Sequence, residues 1–448
     1  MKQLIYIILC TACCTVTATA QEAYTLQQLK DSAHHNNIAI HRARHDIESA
    51  RQQRREAFTK YFPSVSATGL WFNANKGMAQ TSIVPAEVVP SALAPTLMTS
   101  LSPEVLASLA DPINISMLKR GTIGSLMAVQ PVFAGGQIIN GNKLAKVGED
   151  VSQLQLQLAE NEVDKTVEQY YWQMASLQEK MNTVNAVQTL LADIHKDVEV
   201  AVRAGVAMNN DMLQVELRQN DVESQKLKLQ NGISIVRLLL AQYCGLRDTS
   251  FVFSAQMEKD DDASLSRHSS LDNLPEYQLL QKQVEATRLQ RKIAVGQNLP
   301  SVAVGAGYNY HNLLDRNHTF GMVFATVSVP ISDWWGGSYA IKRKKIEHQK
   351  AQEQLTDNSQ LLKIRMQNAW NSLQEARQQL QLANRSIEQA SENLRLNRNY
   401  YKAGTSKMSD LLEAQLLYQQ ACDKRTDALA EYHNRLLDYR QATGQVQF

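Results

Sequence analysis

The sequence predicts a mainly α-helical chain that is built as a tandem repeat and carries four strands of membrane-spanning length. Three observations predict this class. Landmark motifs recur at a fixed spacing, apolar residues recur every seven positions along one segment, and shorter stretches alternate between apolar and small residues. Glycine and proline are few, at 19 and 10 of 448 residues, which favours long helices over many short strands.

The charges are nearly balanced, with 46 Lys and Arg against 44 Asp and Glu. Phosphate binding needs a clustered basic surplus, so we expect no nucleic-acid partner. The chain also lacks a Gly-rich phosphate loop, an HExxH motif and a GxSxG motif. We therefore expect no enzyme, no cofactor and no metal centre. Cys244 and Cys422 have no ligand-type neighbours and are expected to be free thiols, with a disulfide as the alternative.

Residues 1–20 have the three parts of a secretory signal, namely a basic residue, an apolar segment and a small-residue cleavage site. These parts are Lys2, Leu4–Leu9 and Ala18–Ala20. We expect cleavage before Gln21. Lipidation of Cys13 is the alternative, and it is disfavoured because Cys10 stands where an apolar residue is needed. No later run reaches the ~20 apolar residues of a membrane helix, so the exported chain is expected either in the periplasm or in a membrane as strands.

Four pairs of landmarks recur in the two halves of the chain. They are FPSVSATG (62–69) with LPSVAVGAG (299–307), QPVF (130–133) with VPIS (329–332), AGVAMNNDML (204–213) with AGTSKMSDLL (403–412), and Gly245 with Gly444. The last three pairs are 199 positions apart, whereas the prolines of the first are 237 apart. This predicts a duplication with 38 extra residues in the first copy. We place the first repeat at 21–246, a linker at 247–272 and the second repeat at 273–448.

Four strands are predicted, at about 62–73, 122–133, 300–311 and 319–332. The alternation is clearest after Pro300, where every second residue from Val302 to Tyr310 is apolar and the residues between are small or polar. Each strand has about the ~9–11 residues that a tilted membrane strand needs. Prolines are expected at the strand ends, where no ladder donor is required.

Long helices are predicted at 137–203, 209–244, 338–402 and 410–442. The first contains a coiled-coil seam in which apolar residues recur every seven positions. The seam is Val163, Tyr170, Leu177, Val184, Leu191 and Val198. At ~1.5 Å per residue, the helix 137–203 would be about 100 Å long.

Four strands in one chain cannot close a membrane barrel, because the smallest barrels have ~8. An open sheet edge in lipid would leave backbone groups unpaired at several kcal/mol each. We therefore expect other copies of the chain to complete the sheet in a symmetric oligomer. A dimer with eight strands and a trimer with twelve both satisfy this requirement.

The order of the motifs resembles the TolC family of outer-membrane efflux proteins over essentially the whole mature chain. The resemblance rests on YTLQQLKDSAHHNN (24–37), PVFAGGQ (131–137), the LPS-type strand starts and the two AGxxxxxD turns. It implies a homotrimer with a 12-stranded β-barrel in the bacterial outer membrane, continued through the periplasm by a 12-helix α-barrel. It also implies an exit duct for a tripartite efflux or type I secretion system. The expected partners are outer-membrane lipid, a periplasmic adaptor and an inner-membrane transporter.

The two turns between long helices hold the candidate functional residues. Gly205 and Gly404 follow helices at positions that favour the left-handed conformation. Spacing predicts capping boxes at the next helices, with Asp211 as cap and Gln214 three residues on, and with Asp410 and Glu413 in the second copy. Capping alone could account for these residues.

The resemblance gives the same turns a second role, as the periplasmic tip of the duct. It places Asp410 and Glu413 at a cation-selective aperture and assigns Tyr401 and Asp211 to a latch that holds the closed state. The family's basic latch partner is replaced by Ser406, with Lys407 beside it. A looser closure is therefore expected.

Two further segments have competing interpretations. The insertion Asn73–Gly121 is expected to be an extracellular loop, either packed over the barrel mouth as a partial lid or disordered. A histidine group could hold a metal through its i,i+4 pair, but surface histidines on an amphipathic helix are the favoured interpretation. The group is His34, His35, His41 and His45.

Two other classes of protein fit parts of the pattern. A periplasmic adaptor would show one helical hairpin rather than two copies. A structural coiled-coil protein would not need four strands flanked by prolines. The duplication and the strands favour the duct over both alternatives.

Overall fold

The computed structural model describes residues 24–88, 102–247, 267, 270–313, 316–331 and 333–445. The signal at 1–20 and most of the linker lie outside these residues. The elements, in chain order, are α1 (Leu26–Asn36), α2 (Ile38–Thr59), β1 (Ser64–Asn73), β2 (Ala79–Ile83), α3 (Pro85–Val88), α4 (Pro103–Ala110), β3 (Ile113–Met117), β4 (Arg120–Ala134), α5 (Gln137–Arg203), α6 (Asn209–Cys244), α7 (Pro275–Gln297), β5 (Ser301–Leu313), β6 (Arg316–Ser328), α8 (Asp333–Lys402) and α9 (Met408–Thr443). The chain is mostly helical, as predicted.

The chain divides into two compact units. The first is helical and comprises 1–51, 147–285 and 350–448, and the second contains the strands and comprises 52–146 and 286–349. Within the described residues, none of the helices combines the length and apolarity that crossing a membrane requires.

The core of the helical unit follows the predicted seam of α5. Val163, Val184, Leu191 and Val198 are buried there. Toward the start of this seam, Trp172 stacks on His433 of α9 with ring centroids 3.6 Å apart. Val184, Leu191 and Val198 share a buried cluster with Met408 and Leu411 of α9, so the first repeat packs its seam against the second.

Helix α1 is fixed to α5 by charged pairs. Lys30 Nζ lies 2.8 Å from Glu168 Oε2, and His34 Nε2 lies 2.8 Å from Asp164 Oδ1. His34 thus contacts a carboxylate of α5. Among the described residues, no three His, Cys, Asp or Glu side chains cluster as metal ligands would.

Both cysteines outside the signal are free. Cys244 is buried at the end of α6 and Cys422 is half-buried on α9. Burial raises the pKa of the Cys244 thiol to about 12. This thiol therefore stays protonated and behaves as a small apolar side chain.

The second unit contains a four-stranded antiparallel sheet in the order β1-β4-β5-β6. The register places Val65, Leu126, Tyr308 and Val323 on one face. Their side chains are 52–86% exposed. Strands β1 and β6 form the two edges and are paired on one side only within the described residues. An apolar face and two open edges are thus left without a partner in a single chain.

The insertion Asn73–Gly121 is ordered in its described part. Strands β2 and β3 pair as an antiparallel ribbon from Ala79–Met117 to Ile83–Ile113. The short helices α3 and α4 follow β2 and precede β3. The alternative of a disordered loop is therefore wrong for these described residues. Much of the apolar run Val84–Leu101 lies outside the described residues.

Several element ends differ from those predicted. Helix α8 begins at Asp333 rather than 338, because Gly336 and Gly337 continue the helix instead of breaking it. A Cβ at Gly337 would overlap Asn298 Oδ1, so glycine permits a close approach there.

Two strands also differ from the predicted ranges. Pro131 lies within β4, at a register shift between Pro131 and Phe133, rather than at a strand end. A bulge tolerates proline because one ladder donor is skipped. Strand β6 spans Arg316–Ser328, so it starts earlier and ends earlier than the predicted 319–332.

Candidate functional site

The turn between α5 and α6 and the turn between α8 and α9 have the same backbone geometry. Gly205 and Gly404 have φ values of +73° and +72°. The next amide closes each helix, with Val206 N donating to Ala201 O and Thr405 N donating to Tyr400 O, both at 2.9 Å. These are the left-handed helix ends that the two glycines predicted.

The aspartates after each turn stabilise the next helix from a different position than predicted. The N-cap residues are Met208 and Lys407, so Asp211 and Asp410 occupy the third helical position. Each Oδ2 accepts a hydrogen bond from the N-cap amide at 3.2 Å. The predicted boxes with Gln214 and Glu413 are therefore wrong, because both helices begin earlier than the aspartates.

The two turns together enclose a groove of about 1000 Å³. Its lining includes Tyr401, Asp211, Gly404 and Ser406, so the three predicted latch residues meet at one site. Tyr401 also packs against the buried cluster that contains Met408, Leu411 and the end of the α5 seam. Both turns are thus adjacent to the same buried apolar cluster.

The electrostatics of the groove act on the Tyr401 phenol. Burial raises its pKa, and the negative charges of Asp211 and Asp197 raise it further. Lys402 Nζ lies 3.9 Å from Asp197 Oδ2, so the ends of α8 and α5 also carry an exposed ion pair. The phenol therefore stays neutral and can donate a hydrogen bond at any physiological pH.

Ser406 lines the groove, and its hydroxyl makes no hydrogen bond to the described residues. The Oγ atom is buried. A serine side chain is too short to reproduce the charge-assisted bonds of an arginine or lysine. The neighbouring Lys407 is exposed, and its backbone rather than its ammonium contacts Asp410.

Asp410 and Glu413 are not among the side chains that line this groove. Both are exposed at the start of α9. Asp410 Oδ1 also accepts a hydrogen bond from Ser409 Oγ at 3.2 Å. The structure therefore separates the two expected carboxylates from the three latch residues.

A polar network beneath the turns was not anticipated. Arg218 of α6 donates to Gln415 Oε1 through Nε at 2.9 Å and to Gln419 Oε1 through a terminal nitrogen at 2.8 Å. Gln419 Nε2 donates in turn to Gln225 Oε1 at 2.6 Å. Gln415 and Gln419 are 0% and 3% exposed. The sequence pattern that could have indicated this network is the pair of glutamines four residues apart, Gln415 and Gln419, on α9.

Residues 267–445, almost all of the second repeat, match the family model described as outer membrane efflux protein. The second repeat is therefore similar to the outer membrane efflux proteins. This match indicates a location in the outer membrane and a role as an efflux channel protein. No curated protein matches the chain significantly.

Solved structures share the fold over nearly the whole chain. The outer membrane protein VceC from Vibrio cholerae is 16% identical with a TM-score of 0.74, and the alignment covers 94% of this chain and 96% of that one. The outer-membrane channel OprN gives the same identity and TM-score, with coverage of 94% and 89%. The Campylobacter jejuni CmeC outer membrane channel is 16% identical with a TM-score of 0.72, covering 94% and 85%. The first repeat, which the family model does not reach, therefore has the same fold as these proteins.

Proposed function

We propose that this efflux protein is the passive exit duct of a tripartite efflux or type I secretion system, and that three copies form it. The duct receives substrate from an inner-membrane transporter through a periplasmic adaptor and catalyses no reaction. The observation that carries the proposal is the four-stranded sheet with two open edges and an exposed apolar face.

Strand direction supports closure of the sheet by further copies. All neighbouring strands are antiparallel and the number of strands is even, so β6 of one copy runs antiparallel to β1 of the next. Closure removes both edges, as lipid requires. Three copies give the 12-stranded barrel, with Val65, Leu126, Tyr308 and Val323 facing lipid, and the helices of three copies give the 12-helix periplasmic α-barrel.

The turns between the long helices support a protein partner. Val200, Val206 and Met208 line the groove and are 60%, 79% and 75% exposed. Apolar side chains this exposed, grouped on the two turns, favour a protein contact. We assign this contact to the adaptor. Asp410 and Glu413 then form the selectivity ring of the aperture, and Tyr401, Asp211 and Ser406 form its latch.

Assembly can be tested on the purified mature chain in detergent. Light scattering corrected for bound detergent should give the mass of a trimer, and a monodisperse monomer would refute the proposal. Edge pairing can be tested with Ser66→Cys on β1 combined in turn with Phe324→Cys, Thr326→Cys and Ser328→Cys on β6. Oxidation should produce a covalent trimer with at least one pair, whereas each single variant should remain monomeric on a denaturing gel.

A further inference from the structure

Two histidines face each other across the β5–β6 hairpin. His311 and His318 are directly paired in the register. Their ring centroids are 5.2 Å apart and their planes are tilted by 48°. Directly opposed residues of antiparallel strands project from the same face of the sheet, so the two imidazoles lie side by side.

The imidazoles stand on the face opposite the apolar one. Register pairs His311 with Ile123 of β4, and on the same face it pairs Asn309 with Ser125. Three buried polar atoms on this face have no hydrogen-bond partner among the described residues: His311 Nδ1, Asn309 Nδ2 and Ser125 Oγ. A buried ring nitrogen without a partner is costly unless something binds it.

The other face of the hairpin holds these strands in place. Asn317 Oδ1 accepts hydrogen bonds from Asn312 Nδ2 at 2.8 Å and from the Tyr310 hydroxyl at 3.1 Å. The pair Asn312–Asn317 is adjacent to His311–His318 in the ladder. The backbone that carries the two imidazoles is therefore preorganised, which reduces the entropy lost when a ligand bridges them.

The spacing of the rings suits one metal ion. An ion ~2 Å from one nitrogen of each ring lies about 3.2 Å from each ring centre. Two centres 5.2 Å apart then subtend an angle of about 110° at the ion, close to the tetrahedral angle. Neutral imidazole is a preferred ligand of zinc, copper and nickel, and water can fill the remaining positions.

We propose that His311 and His318 form a two-imidazole binding site for a divalent transition-metal ion at the hairpin end of the sheet. The site needs one hairpin of one chain, so it does not depend on how copies assemble. Affinity should follow the order of nitrogen ligands, with copper(II) bound more tightly than nickel(II) or zinc(II). Arg316, two residues before His318 on the same face, lowers the affinity by charge repulsion.

The test uses the full mature chain in detergent, without a histidine tag, titrated with nickel(II) and copper(II) by calorimetry in a non-chelating buffer. One ion should bind per chain at pH 7.5. His318→Gln and His311→Gln should each weaken binding at least about tenfold, since loss of a ligand costs at least as much as loss of its orienting partner. Arg316→Gln should strengthen binding.

The matched control is His41→Gln with His45→Gln, which removes the i,i+4 pair of α2 and should leave affinity unchanged. Copper(II) electron paramagnetic resonance should show coupling to two imidazole nitrogens, reduced to one in His318→Gln. Binding that survives His318→Gln, or no binding in the unaltered chain, would overturn the proposal. Far-ultraviolet circular dichroism and the detergent-corrected mass of each variant separate this outcome from a failure to fold or assemble.

Discussion

Arg218 of the first repeat donates a 2.8 Å hydrogen bond to the buried Oε1 of Gln419 in the second. Its Nε contacts Gln415 as well, so one guanidinium supplies two buried acceptors. Burial lowers the pKa of Arg218, with Asp221 opposing the shift. The guanidinium nevertheless remains charged and ties α6 to α9 beneath the turns.

Arg218→Ala should therefore destabilise the helical unit. Gln415 Oε1 loses its donor, while Gln419 Oε1 keeps only a 3.4 Å hydrogen bond from Gln415 Nε2. An unsatisfied buried group costs about 1–3 kcal/mol. Thermal unfolding followed by circular dichroism at 222 nm measures the effect. Arg377→Ala removes an exposed arginine of α8 and serves as the control. Equal, small losses in both variants would show that the network contributes little.

Gly404→Ala should destabilise the turn by about 1 kcal/mol, because an L-residue is strained at a φ of +72°. A Cβ at this position meets nothing within 4 Å, so the cost comes from the backbone alone. Gly148→Ala is the matched control, since its Cβ also meets nothing and Gly148 lies within α5. That change should stabilise by about 0.5–1 kcal/mol. Chemical denaturation should thus give opposite signs for the two substitutions.

Tyr401 should make the turns sensitive to alkaline pH. Its pKa is raised by burial and by Asp211 and Asp197, so its contribution to stability is complete below the ordinary value of about 10 and is lost as the pH rises through the raised value. Melting temperatures from pH 9 to 12 should fall less in Tyr401→Phe than in the unaltered chain. Tyr400→Phe, at the exposed neighbouring position, should follow the unaltered chain.

The double variant Asp410→Asn and Glu413→Gln should weaken cation selectivity in planar bilayers and reduce block by multivalent cations. A ring of carboxylates in a narrow opening creates a local negative field. The introduced asparagine side chain would still accept from the Lys407 amide, so assembly should change little. Glu353→Gln with Glu388→Gln removes the same charge from exposed positions of α8 and should leave selectivity intact. If the oligomer were lost while selectivity stayed the same, Asp410 and Glu413 would only stabilise the start of the helix, and the proposed selectivity ring would be wrong.

The insertion should be accessible from outside the cell. Protease added to intact cells is expected to cut within Asn73–Gly121, because this segment joins β1 to β4 at the hairpin end of the sheet. The helices should be protected by the membrane. Cleavage within Gln137–Arg203 under the same conditions, with the insertion intact, would reverse the proposed orientation.

The sequence was most informative where a period repeats many times. The seven-residue period predicted that Val163, Val184, Leu191 and Val198 are buried, and they are. The prediction was strong because the period repeats over five heptads. The glycine turns were predictable for a similar reason, since left-handed backbone strongly restricts the residue type.

Local spacing was less informative at helix starts and strand ends. Asp410 fits the first position of a capping box as well as the third, and only the path of the preceding turn decides between them. Pro131 suggests a strand end unless the bulge that accommodates it is known. The contact from Arg218 to Gln419 joins residues 201 positions apart, and no short-range pattern encodes such a pair.

The ladder between β4 and β5 has a consequence for the order of folding. Its closing pair, Ala134 and Ser301, is 167 positions apart in the chain, and the intervening segment includes α5, α6 and α7. Closing a flexible loop of that size is entropically costly, while helices form from local contacts within microseconds. We expect β4 and β5 to remain unpaired with each other until the helices between them have formed and stiffened the loop. During that interval β4 and β5 would be the segments most in need of a periplasmic chaperone.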